Sequence, residues 1–237
     1  MHGYQNLAKF YDDVTGNQLE SSKLIHKLIR KYHPSAKTLL DVACGTGSHL
    51  LYLSKYFESS GLDICPEMLS LACNKLPDIP LYHSDMTRFS FGKTYDVIIC
   101  INDSINHLIG KNKWRKFFLN TYSNLSGGGI LIFSMNTLYN LKKLSNNPPE
   151  IHQFGNNYLI TKVRQKRRAL YEWDLRLFEN SSEDYYKLHE CILNQTSVTV
   201  SELRALMKGL FSKTDLSDSR LMSINPGCRR IFCTAVK

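Results

Sequence analysis

Through the first 140 residues, short apolar runs that end in an acid alternate with segments whose apolar residues recur at helical spacing. Leu24, Ile25, Leu28 and Ile29 share one face of a helix predicted over Leu19–Tyr32, and Pro34 stops it. Thr38–Ala43 reads as a short buried strand, followed by a glycine loop and a helix predicted over Ser48–Phe57. Gly61–Ile64 is a second strand ending in an acid; Pro66 opens a helix that places Met68, Leu69 and Ala72 together. Leu81–His83 is a third strand, and Tyr95–Ile101 a fourth, apolar enough to be buried on both faces. A helix over Trp114–Leu125 is expected to end in the glycine run Gly127–Gly129, before a fifth strand at Ile130–Met135.

Beyond Pro148-Pro149 the period shortens to two. Tyr158–Val163, Ala169–Phe178 and Tyr186–Asn194 alternate apolar with polar residues, which predicts an antiparallel meander of about three strands. A helix over Val198–Leu210, with Ser201 and Glu202 near its start, precedes strands at Phe211–Leu216 and Arg230–Val236 that rejoin the first sheet. Strands alternating with helices predict an α/β fold with a mostly parallel sheet covered on both faces. The chain then divides into 1–147, an α/β core with an N-terminal helical lid; 148–197, an antiparallel β insertion covering the active site; and 198–237, which completes the core sheet.

Composition narrows the picture only modestly. A chain of 237 residues that is 43% apolar can bury a large core. No run approaches the roughly 18 to 20 apolar residues of a membrane span, and MHGYQNLAKFYDD lacks a secretory core, so a cytoplasmic protein without membrane partners is expected. Seven scattered cysteines without C-x-x-C spacing read as free thiols, not metal ligands. The net charge of +9 admits an anionic partner, but a solvated lysine-rich surface explains it more simply.

Chemistry concentrates at LLDVACGTG, residues 39–47. Gly45 and Gly47 permit a tight turn and close approach of backbone to a ligand. A dinucleotide fingerprint would place a small residue where Leu50 stands, and no Gly-Lys-Ser/Thr follows for a P-loop. Asp41 at a strand end can orient an amino group, Asp63 can accept from a ribose diol, and Asp85-Met86 suits an adenine. An ammonium, a ribose and an adenine in that order describe S-adenosylmethionine.

DVACGTGSHL, GLDICPEMLSLA, HSDMTRF, YDVIICINDSINHL and LSGGGILIF resemble the successive motifs of class I S-adenosylmethionine-dependent methyltransferases, over roughly residues 36 to 136. The resemblance implies a seven-stranded Rossmann-like sheet with its last strand antiparallel. It also implies that Asp41, Ala43, Gly45, Thr46 and Gly47 hold the methionine part, Asp63 the ribose, Ile64 and Met68 the adenine face, and Asp85 and Met86 its edge. Ile101 would line the pocket.

The Tyr-Asp tract at Tyr11, the glycine loop and the Ser104-x-x-His107 pattern are most similar to amino-sugar N-methyltransferases of the dTDP-sugar N,N-dimethyltransferase type. That likeness implies that Tyr11 and His107 face the substrate, with Tyr11 also over the cofactor, and that the meander roofs a small-molecule methyl acceptor. A histidine has a pKa suited to a general base. Amine and hydroxyl acceptors both stay open, as do monomer and homodimer. An RNA or protein methyltransferase is the main rival, resting on Lys162, Arg164, Lys166, Arg167 and Arg168; against it, INDS stands where a planar-amine N-P-P-Y tetrapeptide would be. A cofactor-binding regulator without turnover is the second rival. A metal-assisted O-methyltransferase is disfavoured, since only Asp103 follows the fourth strand there.

Overall fold

A computed structural model describes residues 3–182 and 185–237. The chain runs through a 3-10 turn at Gln5–Phe10 into helix α1 (Tyr11–Thr15) and α2 (Leu19–Tyr32), then β1 (Thr38–Val42), α3 (Leu50–Leu53), β2 (Glu58–Asp63), α4 (Pro66–Lys75), β3 (Leu81–His83) and β4 (Tyr95–Cys100). After a second 3-10 turn at Ser104–His107 come α5 (Lys111–Asn124), β5 (Leu125–Asn136) and α6 (Leu138–Asn146). Strands β6 (Glu150–Phe154), β7 (Asn157–Arg167), β8 (Leu170–Ser182) and β9 (Tyr185–Thr196) precede α7 (Val200–Met207), β10 (Lys213–Ser217) and β11 (Arg230–Val236).

Seven strands form one sheet in the order β10-β11-β5-β4-β1-β2-β3, with β11 antiparallel to both its neighbours. Alternation along the strands explains why both faces are covered. Leu40, Val42, Ile98 and Cys100 point into a core with Trp114, Phe117 and Leu203 of α5 and α7. Leu39, Val97, Ile99 and Ile101 point the other way, onto Ile25, Leu28 and Ile29 of α2 and onto Leu50 and Leu53 of α3. Strand order reverses between β1 and β4, so the loops after these two strands border the crevice where such sheets bind ligands.

The second sheet, β6-β7-β8-β9, is antiparallel throughout. Its buried residues Leu159, Leu175, Leu177, Cys191 and Leu193 pack on Leu7 and Phe10 of the N-terminal segment, while Val163 and Tyr171 pack on Leu141 of α6.

Four expectations need correction. The helix after the glycine loop spans only Leu50–Leu53, because the following turns lead Glu58 to donate to the Lys37 carbonyl and β2 starts three residues before Gly61. Gly127–Gly129 lie inside β5, where Gly128 at φ 74° accompanies a register shift against β4; the helix has already ended at Asn124. The meander has four strands, since the largely exposed β6 shows no alternation. Helix α6 went unforeseen, although Thr137 caps it and Leu138, Leu141 and Leu144 recur at helical spacing. Among the described residues, no helix is long and apolar enough to cross a membrane.

Leu50, the residue that breaks the dinucleotide fingerprint, is fully buried. It fits because Gly61 of β2 lacks a side chain: a Cβ there would lie 2.8 Å from Leu50 Cδ1 and 2.9 Å from both Cys44 Sγ and Leu81 Cδ2. Gly61→Val is expected to lower the denaturant midpoint, corresponding to about 1–3 kcal/mol or more of overpacking. An unchanged midpoint would show that the contact is loose.

Candidate functional site

The glycine loop leaves β1 through three residues in the left-handed region: Ala43 (φ 61°), Gly45 (φ 56°) and Gly47 (φ 78°). For Ala43 this backbone carries strain of about 1–3 kcal/mol, a pattern that clusters at functional sites. Asp63, arriving at the end of β2, bolts the loop down. Its Oδ2 accepts from Gly45 N–H at 2.8 Å and its Oδ1 from Cys65 N–H at 2.9 Å. Burial raises the Asp63 pKa, and the amide donors act against that rise. Cys44 fills space behind the loop and is largely buried.

Asp41, at the end of β1, is 2% exposed, and its Oδ2 has no hydrogen-bond partner among the described residues. Burial, and secondarily the charge of Asp63, push its pKa well above the usual carboxylate value. A buried acceptor without a partner is costly, and a cationic group beside it would relieve that cost. Asp41 lines a small cavity with Ala43, Gly45, Thr46, His49 and Ile101.

That cavity adjoins a larger one of about 310 Å³ lined by Asp63, Ile64, Met68, Asp85, Met86 and His107, with Tyr11, Ala43 and Gly45 shared between them. The residues expected at the sugar and at the base therefore share one cavity, and those expected at the amino-acid end, Gly47 apart, line the one adjoining it. Asp85 also shapes its own turn, accepting from the Thr87 N–H and hydroxyl at 2.8 Å. Gly47 is the exception to the expected set, because it lines neither cavity. A Cβ there would meet Leu76 Cδ1 at 2.7 Å, so its role is packing of the loop against the end of α4.

The N-terminal segment closes over this crevice. Asp12 Oδ1 accepts from Thr46 Oγ1 (2.6 Å) and Ser48 Oγ (3.0 Å), and its Oδ2 pairs with Lys75 of α4. These contacts pull its pKa down against the opposing effect of burial. Tyr11 touches all three central cavities, and burial pushes its pKa up to about 12, Asp63 adding to the effect. Both tyrosine hydroxyls here stay protonated, since burial raises Tyr4 strongly as well.

His107 follows two consecutive non-glycine residues at positive φ, Asn102 (56°) and Asp103 (59°). The bend is braced from both sides. Asp103, buried, receives Arg230 Nη2 at 2.7 Å and Nε at 2.9 Å, and Ser134 Oγ at 3.1 Å. Asn106, also buried, donates to the carbonyls of Asn136 and Thr196. The imidazole Nδ1 lies 3.2 Å from the Asn194 carbonyl, which can only accept, so Nδ1 carries the proton. Nε2 is therefore an acceptor, and Tyr4 Oη donates to it at 3.1 Å. Burial lowers the His107 pKa, so the ring is neutral at pH 7. Tyr4 has no sequence signal of its own, since it precedes every predicted element. Ser104 turns inward on its own segment, donating to the Ile101 carbonyl at 2.8 Å.

A separate cavity of about 380 Å³ lies between the N-terminal segment and the second sheet. Leu159, Leu175 and Leu177 form its apolar wall, Tyr4 and Tyr11 join it to the first cavities, and it contains no Asp or Glu among its lining residues. Its one cation, Arg230, is already paired with Asp103. A groove of about 650 Å³ beside α6 and the N-terminus of α7 is larger, but shares no residue with the glycine loop.

Residues 39–129 match the family described as methyltransferase domain. The chain is 44% identical over 85 residues to the dTDP-3-amino-3,6-dideoxy-alpha-D-glucopyranose N,N-dimethyltransferase of Streptomyces fradiae, covering 35% of this chain and 33% of that one. It spans between a third and a half of the length of the amino-sugar relatives it matches first. It is 30% identical over 179 residues to the carboxy-S-adenosyl-L-methionine synthase of Campylobacter lari, covering 70% of this chain and 75% of the relative. An S-adenosylmethionine-dependent methyltransferase from Clostridium acetobutylicum superposes over 98% of both chains with a TM-score of 0.88 at 22% identity. The strand order with one antiparallel strand, the acid-bolted glycine loop at its switch point and these matches agree: the chain belongs to the class I S-adenosylmethionine-dependent methyltransferases.

Proposed function

We propose that this chain methylates an amine of a small molecule, with S-adenosylmethionine as donor and an amino sugar as the acceptor class. The observation that carries the reading is the pair of cavities meeting at Tyr4 and Tyr11, one lined by the glycine loop and its acids, the other roofed by the second sheet.

The residues present suit the donor. Asp41 offers an unpaired buried carboxylate to an ammonium, Asp63 keeps lone pairs for a ribose diol beside the amides it holds, and Ile64, Met68 and Met86 offer apolar contact to a base. Once bound, the donor supplies an electrophilic methyl group on a sulfonium. The chain's task is alignment and proton management, and alignment of reactants alone is worth roughly 7–11 kcal/mol.

An amine reacts through its lone pair, so it must be unprotonated. A cavity without carboxylates, whose one cation is Arg230, disfavours the ammonium form and so favours the nucleophile. Tyr4 lines both cavities and donates to the neutral His107, which gives a proton leaving the acceptor a route through Tyr4 to Nε2. Trp173 Nε1 and Gln195 Oε1, on strands lining the acceptor cavity, are buried without partners among the described residues, and a hydroxylated acceptor could satisfy them. A hydroxyl nucleophile is the alternative acceptor. The reading includes a cytoplasmic setting, where the seven free thiols stay reduced, and a monomer or homodimer.

Incubation with S-adenosylmethionine and a panel of nucleotide-linked amino sugars is expected to release S-adenosylhomocysteine in step with N-methyl product. Release that does not rise with any acceptor would sink the reading, and binding of S-adenosylmethionine with no release at all would favour the regulator.

The rival polymer substrate loses its footing in the hairpin. Arg164 pairs with Asp174 at 2.9 Å, Lys166 with Glu172 at 3.2 Å, and Lys162 donates to the Asn147 carbonyl at 2.6 Å. Only Arg167 and Arg168 of that set have no such partner among the described residues. Mixed-sequence RNA is expected not to bind measurably at physiological salt; a complex whose affinity falls steeply with added salt would revive the rival.

A further inference from the structure

His49, two residues past the glycine loop, has no part in the assignments above. Its ring is 6% exposed and lines the small cavity that holds Asp41. The Ser22 hydroxyl of α2 has one proton, which goes to the Gln18 carbonyl at 2.8 Å, an atom that can only accept. Ser22 Oγ is thereby left to accept, and His49 Nδ1–H donates to it at 2.9 Å. The tautomer is fixed by this chain of bonds. Nε2 carries the lone pair, and it has no partner among the described residues.

Two buried acceptors, Asp41 Oδ2 and His49 Nε2, therefore line one cavity without a hydrogen-bond partner among the described residues. The Asn102 side chain, in the same lining, acts on the ring only far enough to offset part of the effect of burial on its pKa. A packing histidine would be expected to satisfy both nitrogens within the protein. A group with several N–H bonds and a positive charge complements the pair, whereas a carboxylate would be repelled by both. Resting on the donor reading above, we propose that His49 is a second acceptor for the α-ammonium group of S-adenosylmethionine, sharing it with Asp41, and that α2 positions it through Ser22. The arrangement turns the ammonium, rather than the carboxylate, of the donor's amino-acid end toward β1. It selects a donor whose amino group is free. His49 stays neutral in the folded protein, since burial lowers its pKa to about 4, which keeps Nε2 an acceptor at pH 7.

The test compares two ligands by calorimetry on the full chain: S-adenosylhomocysteine, and 5′-methylthioadenosine, which keeps the nucleoside and lacks the amino-acid end. His49→Ala is expected to weaken S-adenosylhomocysteine by roughly 10- to 100-fold and to change 5′-methylthioadenosine by less than about twofold, in keeping with a hydrogen bond to a charged group. His49→Gln, which restores an acceptor, is expected to recover part of the loss. In the wild-type protein, the ¹⁵N signal of His49 Nε2 is expected to move from that of a bare ring nitrogen to that of a hydrogen-bonded one with S-adenosylhomocysteine alone. That spectrum decides the matter if His49→Ala does not fold. Equal losses for both ligands, or an Nε2 signal that moves with neither, overturn the role of His49 and leave the donor reading standing. Failure of the wild-type protein to bind S-adenosylhomocysteine would instead defeat the donor reading itself.

Discussion

Asp63→Ala is expected to weaken S-adenosylhomocysteine by more than about a hundredfold, because the substitution removes two functions at once. In the proposed reading the buried carboxylate accepts from the ribose, and hydrogen bonds to charged groups are worth about 1.5–3 kcal/mol each. It also holds Gly45 N–H and Cys65 N–H, the first in the glycine loop and the second at the start of α4. Without it both amides lose their partner, at about 1–3 kcal/mol apiece where no water replaces it. A lowered unfolding midpoint should therefore accompany the lost affinity. Asp63→Asn separates the two effects, since an amide keeps one accepting oxygen for the loop and turns a donor toward the other amide. Calorimetry that finds wild-type affinity in Asp63→Ala would remove the ribose assignment and with it the order of the donor cavity.

His107→Phe is expected to lower kcat by about 10²- to 10⁴-fold, the usual contribution of a positioned acid or base, while leaving donor affinity within a few-fold. Phenylalanine keeps an aromatic ring of similar breadth and removes the accepting nitrogen that Tyr4 now reaches together with the Nδ1–H that donates to the Asn194 carbonyl. Tyr4→Phe should reproduce part of this loss if the proton passes through the hydroxyl. The pH profile gives a second reading. Burial lowers the His107 pKa below the ordinary histidine value, so the imidazole stays unprotonated at pH 7 and activity should fall only on the acid side of that value. The acid limb should vanish in His107→Phe. Equal turnover of variant and wild type would take His107 out of the chemistry.

How much of this could be read from the chain depended on where the determining contacts lie. Strands β1, β4 and β5 are legible because burial on both faces leaves continuous apolar runs, and the acids at the ends of β1 and β2 and just after β3 recur at a spacing of 22 residues. Asp41, Asp63 and Asp85 are legible for the same reason. Tyr4 and His49 are not. Each owes its place to a partner far along the chain, Tyr4 to His107 and His49 to Ser22; Tyr4 bears no local pattern, and His49 stands in the motif DVACGTGSHL without a role that the motif itself discloses. The latch of Asp12 to Thr46, Ser48 and Lys75 is likewise invisible until the termini of three elements meet. The largely exposed β6 fails for the opposite reason, since an edge strand facing solvent needs no alternation.

The meeting of Leu50 and Gly61 bears on how such loops are recognised at all. In a dinucleotide loop the small third residue belongs to the helix; in this protein the missing side chain belongs to the neighbouring strand, eleven positions later. The joint needs one vacancy and is indifferent to which wall supplies it. A fingerprint written along the loop alone scores a mismatch where the two walls together conserve volume. Exchange of the pair, with a small residue at position 50 and a large one at 61, is then the one double change here that should leave the joint filled.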